Sequence, residues 1–285
     1  MENGYRRKPD WLKSSLGNND TFAATGKIVR DHRLHTICQS GRCPNLGECW
    51  NSGVATFMIA GDICTRSCKF CNTKTGKPLP LNPDEPAEIA EAVSRLRLKH
   101  AVITSVDRDD LPDCGAHHWA ETIERIKQRN PATTVETLIP DFNGNHALLD
   151  LVVHCAPDII SHNMETTRRL TPTVRSVARY DTSLAVLSYV ASTSAIPVKS
   201  GFMLGLGETA DEIMQLMDDL LAAGCRLLSI GQYLQPSRKS LPVQEYLHPD
   251  RFKELKQTAL EKGFSRVESA PFVRSSYHSQ DFLQI

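Results

Sequence analysis

Three closely spaced cysteines are the strongest chemical signal in this chain. Cys64, Cys68 and Cys71 follow one another at spacing C-x3-C-x2-C. Three thiolates this close together can bind three irons of a cubane iron–sulfur cluster. No fourth cysteine follows nearby in the sequence, so one iron would keep an open position, which catalytic metal sites retain and structural sites close. A zinc site or incidental thiols are the alternatives, but zinc sites usually pair two such ligands with a second pair.

A second group of three cysteines precedes the first. Cys38, Cys43 and Cys49 are spaced C-x4-C-x5-C. By itself this spacing is compatible with a further cluster, with a zinc site completed by His32 or His35, or with cysteines packed as small apolar side chains. The spacing alone leaves these alternatives open.

The remaining cysteines stand apart from both groups. They are Cys114, Cys155 and Cys225, and we expect them to be small buried side chains. A total of nine cysteines is odd, and six of them are clustered. This pattern favours metal ligation over a disulfide framework, and it predicts a reducing, cytoplasmic compartment.

Length and charge exclude several other classes of protein. The 285 residues are enough for one large α/β domain. Lys and Arg number 33, as do Asp and Glu. This balance argues against a nucleic-acid partner, since such domains usually carry a basic excess. No apolar run approaches the ~20 residues of a membrane span. No apolar segment follows the first basic residues, so we expect neither a secretory signal nor a membrane partner.

Apolar periodicity indicates strands and helices in alternation. Predicted strands lie at residues 54–60, 100–106, 133–139, 158–161, 198–204 and 226–230. Predicted helices lie at residues 86–98, 116–129, 145–154, 175–192, 208–223 and 249–263. Six βα units in series imply a parallel sheet with right-handed crossovers. The predicted fold class is α/β: a partial (β/α)6 TIM-like barrel over residues 51–265, with extensions at 1–50 and 266–285.

Polar clusters follow four of the predicted strands. They lie at residues 64–71, 107–113, 162–165 and 205–209, after the first, second, fourth and fifth strands. The carboxyl ends of barrel strands are where functional groups usually lie. We therefore expect these clusters to meet at one edge of the sheet, although a solvated loop is an equal alternative for residues 107–113.

The first cysteine group, with Phe70 just before its third member, resembles the radical S-adenosylmethionine superfamily. The resemblance implies that the group binds a [4Fe–4S] cluster whose open iron takes the amino and carboxylate groups of S-adenosylmethionine. Reduction would then release a 5′-deoxyadenosyl radical. Polar residues that follow the fourth and fifth predicted strands are candidate contacts of S-adenosylmethionine, and two arginines are candidate partners of the carboxylate of S-adenosylmethionine. These candidates are Asn163, Glu165, Glu208, Arg169 and Arg175.

Both cysteine groups together, with the stretch R-S-S-Y-H at residues 274–278, resemble the lipoyl synthase family over nearly the whole chain. The resemblance implies that Cys38, Cys43 and Cys49 hold an auxiliary [4Fe–4S] cluster whose sulfides are the sulfur donors. Its fourth ligand would be Ser276. An alkoxide is a poorly matched ligand for iron in a sulfide cluster, so it could dissociate. A loop serine or a local cap is the alternative role.

The implied reaction inserts two sulfur atoms at C6 and C8 of a protein-bound octanoyl chain. The implied partners are octanoylated lipoyl carrier domains (2-oxoacid dehydrogenase E2 or glycine cleavage H protein), a ferredoxin or flavodoxin reductant and a cluster-assembly carrier. Carrier domains of this kind are usually acidic, so Arg6, Arg7, Lys8 and Lys13 form a candidate docking surface. The alternatives are another radical enzyme, acting on a biotin precursor or on tRNA, and a non-enzymatic metal-binding scaffold.

Overall fold

The computed structural model describes residues 7–14, 17 and 19–283. In these ranges an open sheet has the strand order β1-β2-β5-β6-β7-β8-β9-β10. Its strands pair in parallel, except that β1 runs antiparallel to β2. A second, two-stranded sheet joins β3 to β4. The strands are β1 (His35–Thr36), β2 (Phe57–Ile59), β3 (Ile63–Cys64), β4 (Lys74–Thr75), β5 (His100–Ser105), β6 (Thr134–Leu138), β7 (Ile159–Ser161), β8 (Val198–Leu204), β9 (Leu227–Gln232) and β10 (Arg266–Ser269).

Helices follow the parallel strands and pack side by side, from α4 against α5 to α9 against α10. Local sequence sets their ends: Thr209 and Glu212 form a reciprocal capping box, and Gly263 ends the last helix in the left-handed conformation. The helices are α1 (Asp20–Asp31), α2 (Ile37–Ser40), α3 (Leu46–Asn51), α4 (Glu85–Leu96), α5 (Ala116–Arg129), α6 (His146–His154), α7 (Thr171–Val174), α8 (Tyr180–Thr193), α9 (Ala210–Ala222) and α10 (Pro249–Lys262).

The predicted partial barrel is confirmed. Strands β2 and β5 to β9 correspond to the six predicted strands, and helices α4, α5, α6, α8, α9 and α10 correspond to the six predicted helices. Within the described ranges β1 and β10 are the two ends of the strand order, so the sheet does not close. Strands β2 and β9 are buried along their whole length, as strands covered on both faces must be.

Three local features differ from the sequence prediction. Strand β10 was not predicted, because R-V-E-S is only four residues long and has a single apolar residue, Val267. The helix predicted at 175–192 begins at Tyr180, since Arg175 is extended and ends the separate short helix α7. Helix α1 lies in the N-terminal segment, and its Val29 is buried in the main core. No helix of the described residues is long and apolar enough to cross a membrane.

Candidate functional site

The first cysteine group lies in a loop between β2 and α4, which we call the cluster loop (residues 61–76). The loop closes on itself, because β3 pairs with β4 and the Gly76 N–H donates to the Cys64 carbonyl at 3.0 Å. Gly61, with φ of +96°, turns the chain out of the sheet. Cys64, Cys68 and Cys71 all line one cavity of about 340 Å³.

Backbone N–H groups point at two of these sulfurs. The Cys64 Sγ accepts from the N–H of Arg66 at 3.4 Å and of Asp107 at 3.3 Å, and the Cys71 Sγ accepts from Thr73 at 3.4 Å. Burial, together with the charge of Asp107, nevertheless raises the pKa of Cys64 to about 12. A cationic partner is therefore needed to keep Cys64 as a thiolate. Three partly buried thiols, two of which accept N–H hydrogen bonds, fit the ligands of an iron–sulfur cluster.

The Arg66 side chain anchors the cluster loop to the ends of β5 and β6. Its guanidinium donates two hydrogen bonds to Asp109 at 2.8 and 2.7 Å and two to Asp141 at 2.8 Å. Burial alone would raise the pKa of Asp141, but the hydrogen bonds from Arg66 outweigh it and lower that pKa to about 2. Sequence analysis missed both residues, although Arg66 lies inside the cysteine motif and Asp141 follows a predicted strand.

In the second cysteine group Cys38 is buried, and Cys43 and Cys49 are half-buried. Cys38 lies on α2, Cys43 in the turn that follows and Cys49 on α3. Burial is the main cause that raises the pKa of Cys38 to about 11 and that of Cys49 to about 12. Charge repulsion from the neighbouring thiolates adds to both shifts, so the sulfurs lie near one another. Cys38 and Cys43 line the same cavity as the first group.

The two ends of the chain meet beside this second group. The Asn45 amide donates to the Phe272 carbonyl at 2.7 Å, and the Tyr277 hydroxyl donates to Glu48 at 2.9 Å. Burial raises the pKa of Cys43, and the positive charge of Arg274 opposes that shift. The R-S-S-Y-H stretch is therefore held against α3 and the second cysteine group.

Ser275 and Ser276 both line the cavity, but the Ser275 hydroxyl already has a partner. The Asn163 amide nitrogen donates to the Ser275 Oγ at 2.6 Å. This contact occupies Ser275 and favours Ser276 as the serine able to approach a metal. The cavity thus brings together the first cysteine group, two members of the second group and the predicted serine.

Four of the predicted cofactor contacts line the cavity: Phe70, Asn163, Glu165 and Arg175. The Asn163 amide also donates to the Glu165 carboxylate at 3.1 Å. Glu165 has a φ of +67°, and burial raises the pKa of its carboxyl while Arg175 opposes the shift. Arg175 donates to the Ser183 hydroxyl at 2.8 Å. A carboxylate, an amide and a guanidinium at one wall can bind an amino acid moiety.

Two other candidates have partners outside the cavity lining. The Glu208 carboxylate accepts the N–H groups of Gly205 and Leu206, each at 3.0 Å, and so supports its own turn. Arg169 forms two hydrogen bonds to Glu212 on α9, at 2.6 and 2.9 Å. Glu208 is held within its own turn and Arg169 by a distant helix, and the sequence motif alone could not distinguish either arrangement from a cofactor contact.

The histidines proposed for a zinc site lie elsewhere. His32 bonds to Glu88, and His35 lines a separate, smaller pocket. Among the described residues no three His, Cys, Asp or Glu side chains converge closely enough to hold a single metal ion. A cubane cluster has no such requirement, because each ligand binds a different iron.

Apolar side chains complete the cavity wall between the two cysteine groups. Met58, Phe202, Met203, Tyr233 and Val273 are among them. An apolar lining with a few convergent polar groups is typical of a small-molecule site. Such a wall can bind an apolar group.

Comparison with known proteins identifies the family of this chain. Residues 58–220 match the family model described as Radical SAM superfamily. A lipoyl synthase of Parabacteroides distasonis is 64% identical over 279 residues, which are 98% of this chain and 99% of that protein. A lipoyl synthase of Bacteroides fragilis (strain YCH46) is 61% identical over 278 residues, or 98% and 96% of the two chains.

A solved structure shares the fold at much lower identity. Streptococcus suis SuiB bound to precursor peptide SuiA superposes with a TM-score of 0.59 at 11% identity. The match covers 92% of this chain and 56% of that chain, so the present chain spans just over half of its length. This likeness supports the open α/β barrel.

Proposed function

Because this chain belongs to the lipoyl synthase family of the radical S-adenosylmethionine superfamily, we propose that the cavity residues described above carry out the reaction of that family. The activity is a radical-mediated insertion of two sulfur atoms at C6 and C8 of a protein-bound octanoyl chain. The cofactors are S-adenosylmethionine and two [4Fe–4S] clusters. The observation that carries the assignment of residues is that both cysteine groups open onto one apolar cavity.

The cluster loop would hold the catalytic cluster through Cys64, Cys68 and Cys71. When bound, the reduced catalytic cluster would supply the electron that splits S-adenosylmethionine into methionine and a 5′-deoxyadenosyl radical able to remove a hydrogen atom from carbon, and the auxiliary cluster would supply the sulfur that replaces it. Arg66 fixes the loop, and the N–H groups aimed at Cys64 and Cys71 favour their thiolate forms. The residues thus determine where the radical forms and keep the loop from moving during turnover.

Cofactor contacts would come from the wall that carries Asn163, Glu165 and Arg175. The Glu165 carboxylate can accept hydrogen bonds from the ammonium of S-adenosylmethionine, and Arg175 can pair with its carboxylate. Phe70 lies beside this wall and packs in a small apolar cluster with Val174, which can shield the cofactor from water. Glu208 was also predicted to contact the cofactor, but its carboxylate is engaged by its own turn.

The auxiliary cluster would be held by Cys38, Cys43, Cys49 and Ser276. Asn163 occupies the hydroxyl of Ser275 and leaves Ser276 for the metal. The octanoyl chain would lie along the apolar wall between the two clusters. Burial of the chain's methylene groups would contribute about 0.8 kcal/mol each to its binding.

The partners we propose are lipoyl carrier domains, and in particular octanoylated E2 or H protein. Arg7, Lys8 and Lys13 are exposed and could meet an acidic carrier, although Lys13 also pairs with Asp10 at 2.9 Å. Arg6 lies outside the described residues. A ferredoxin or flavodoxin would supply electrons, and a cluster-assembly carrier would rebuild the auxiliary cluster. A reducing cytoplasm suits the nine cysteines, all of which are free thiols.

Cluster counting tests the proposal. The chain is reconstituted anaerobically, and iron and sulfide are measured in the wild type and in alanine triples of each cysteine group. We expect two cubane clusters in the wild type and one in each triple variant. The triple Cys114→Ala, Cys155→Ala and Cys225→Ala is the matched control and should keep both. Zinc at either site, or S-adenosylmethionine left intact by the reduced protein, would refute the proposal.

A further inference from the structure

A buried ion pair joins strands β6 and β8 of the sheet, and neither of its residues has a role in the reaction proposed above. Lys199 on β8 and Glu136 on β6 have side chains that are 1% and 0% exposed, and the Nζ lies 3.0 Å from one carboxylate oxygen and 3.3 Å from the other. Burial alone would raise the pKa of Glu136, but the charge of Lys199 together with the hydrogen bonds of His100 and Ser279 lowers that pKa to about 2. Burying two charges is costly, so such a pair is weak evidence for a role in stability alone.

Glu136 also accepts the Ser161 hydroxyl at 2.7 Å and lies 3.5 Å from the His100 Nε2, and the remaining contacts of the pair are with the C-terminal segment. The Lys199 Nζ donates to the Ser275 carbonyl and to the Ser279 Oγ, each at 2.7 Å. The Ser279 hydroxyl donates in turn to Glu136. The Nζ also lies 4.1 Å from the centre of the Phe282 ring. A lysine ammonium has three N–H donors, and all three are used here: one for the carboxylate and two for the C-terminal segment.

These contacts lie immediately next to Ser276. The carbonyl that Lys199 binds belongs to the preceding residue, whose hydroxyl is bound by Asn163 at 2.6 Å. On the other side Gly231 of β9 is so close to the segment that an added Cβ would lie 2.1 Å from the Val273 carbonyl oxygen. The backbone around Ser276 is therefore held from three directions, and in one of them the Lys199 ammonium is the donor.

We propose that Lys199 and Glu136 form a clamp that positions Ser276 for the auxiliary cluster. The inference rests on the proposed ligand role of Ser276. Lys199 is a positioning residue, because it contacts neither the cavity nor the substrate and acts through the Ser275 carbonyl. Such a clamp would keep a weakly bound serine oxygen near its metal. If the serine dissociated, it could bind the same iron again only while the backbone that carries it stayed in place.

The test replaces both charges together. Lys199→Met with Glu136→Gln leaves no unpaired buried charge, so the variant should fold while lacking the ammonium. The matched control is the surface pair Lys262 and Asp218, 2.5 Å apart, changed to Met and Asn. Each pair is also introduced into the Cys64→Ala, Cys68→Ala, Cys71→Ala background, in which the auxiliary site alone can hold iron.

Hydrogen exchange of residues 275–283 in the cluster-free chain reports the clamp directly. Exchange should become about tenfold faster or more in the clamp variant, since two hydrogen bonds to a charged donor are lost, and it should not change in the control. The iron content and the electron paramagnetic resonance signature of the auxiliary cluster should shift to those of Ser276→Ala. Unchanged exchange would overturn the clamp.

The remaining outcomes separate the inference from the proposed function. If Ser276→Ala alters the auxiliary signature but the clamp variant does not, the positioning role is refuted and the ligand assignment stands. If Ser276→Ala itself has the wild-type signature, the ligand assignment is refuted, and the positioning role with it.

Discussion

Replacing Arg66 by methionine would remove the main anchor of the cluster loop. Methionine retains much of the apolar stem but none of the donors. Five hydrogen bonds would be lost: two to Asp109 and two to Asp141, between 2.7 and 2.8 Å, and one to Asn143 at 3.1 Å. The Asp141 side chain is only 3% exposed, so water cannot replace its partner. The variant therefore leaves a buried carboxylate without its counter-charge.

The expected cost follows from that burial. Removing one partner of a buried ion pair usually costs about 3–5 kcal/mol, which is a large part of the roughly 5–15 kcal/mol that stabilises a domain. For a chain of this size the corresponding fall in melting temperature is roughly 6–10 °C. Because the loop carries Cys64, Cys68 and Cys71, we also expect the catalytic cluster to be lost before the fold is.

The assay compares two arginines that make the same chemical contact. Arg169→Met is the control, since Arg169 also binds a carboxylate through two hydrogen bonds but is 56% exposed. Exposed pairs contribute only about 0.2–1 kcal/mol. Guanidinium unfolding of the cluster-free proteins gives both free energies of unfolding, and iron analysis of the reconstituted proteins gives cluster occupancy.

Two results would contradict this reasoning. One is an Arg66→Met protein whose free energy of unfolding falls by no more than that of the control. The other is a destabilised Arg66→Met protein that still binds a full cluster at the first cysteine group, which would mean that the loop is positioned by its cysteines and backbone alone.

Three further predictions concern other parts of the site. Burial would raise the pKa of Asp141 and Glu136, but their cationic partners outweigh it and lower both to about 2. A carboxyl group whose pKa is lowered by folding stabilises the protein fully above its unfolded pKa, and this stabilisation is lost as pH falls towards the folded pKa. The free energy of unfolding should therefore decline between about pH 4.5 and 2, by about 2–3 kcal/mol per group. A denaturant-unfolding free energy that stays constant over this range would contradict the prediction. Glu208→Gln weakens the bonds to its own turn, and should lower the melting temperature by a few degrees without changing the iron content; loss of iron would instead indicate a role at the cluster. Gly231→Ala forces a Cβ against the Val273 carbonyl, and should lower iron at the auxiliary site more than at the catalytic site, as measured in the two cysteine-triple backgrounds; equal losses at both sites would show a general folding defect.

The sequence predicted most of the fold because its signals are local. Alternating apolar segments and short connections specify a βα series wherever strands are buried on both faces. The secondary-structure prediction was wrong where tertiary contacts override the local sequence pattern or where that pattern is too short. Strand β10 has too few residues for a pattern, and the start of α8 at Tyr180 depends on how Arg175 is drawn towards Ser183.

The cysteines proposed as cluster ligands could be chosen from sequence, since their spacing on one loop determines which sulfurs can reach one cluster. The ligand role of Ser276 was predicted in another way, because it came from resemblance to a family and not from the spacing of residues. Contacts such as those of Glu208 could not be predicted, because a carboxylate in a turn can serve either a ligand or the backbone, and only its coordinates distinguish the two.

By itself, then, the sequence determined the order of strands and helices, the two groups of thiols and the family. Only the tertiary structure decided that the chain ends meet at the second group, that Arg66 holds the first and that Lys199 reaches the segment carrying Ser276. The physical reason is sequence distance. Arg66 and Asp141, or Lys199 and the Ser275 carbonyl, carry no signal of their pairing until folding brings them together, and a buried charge is then too costly to leave without its partner.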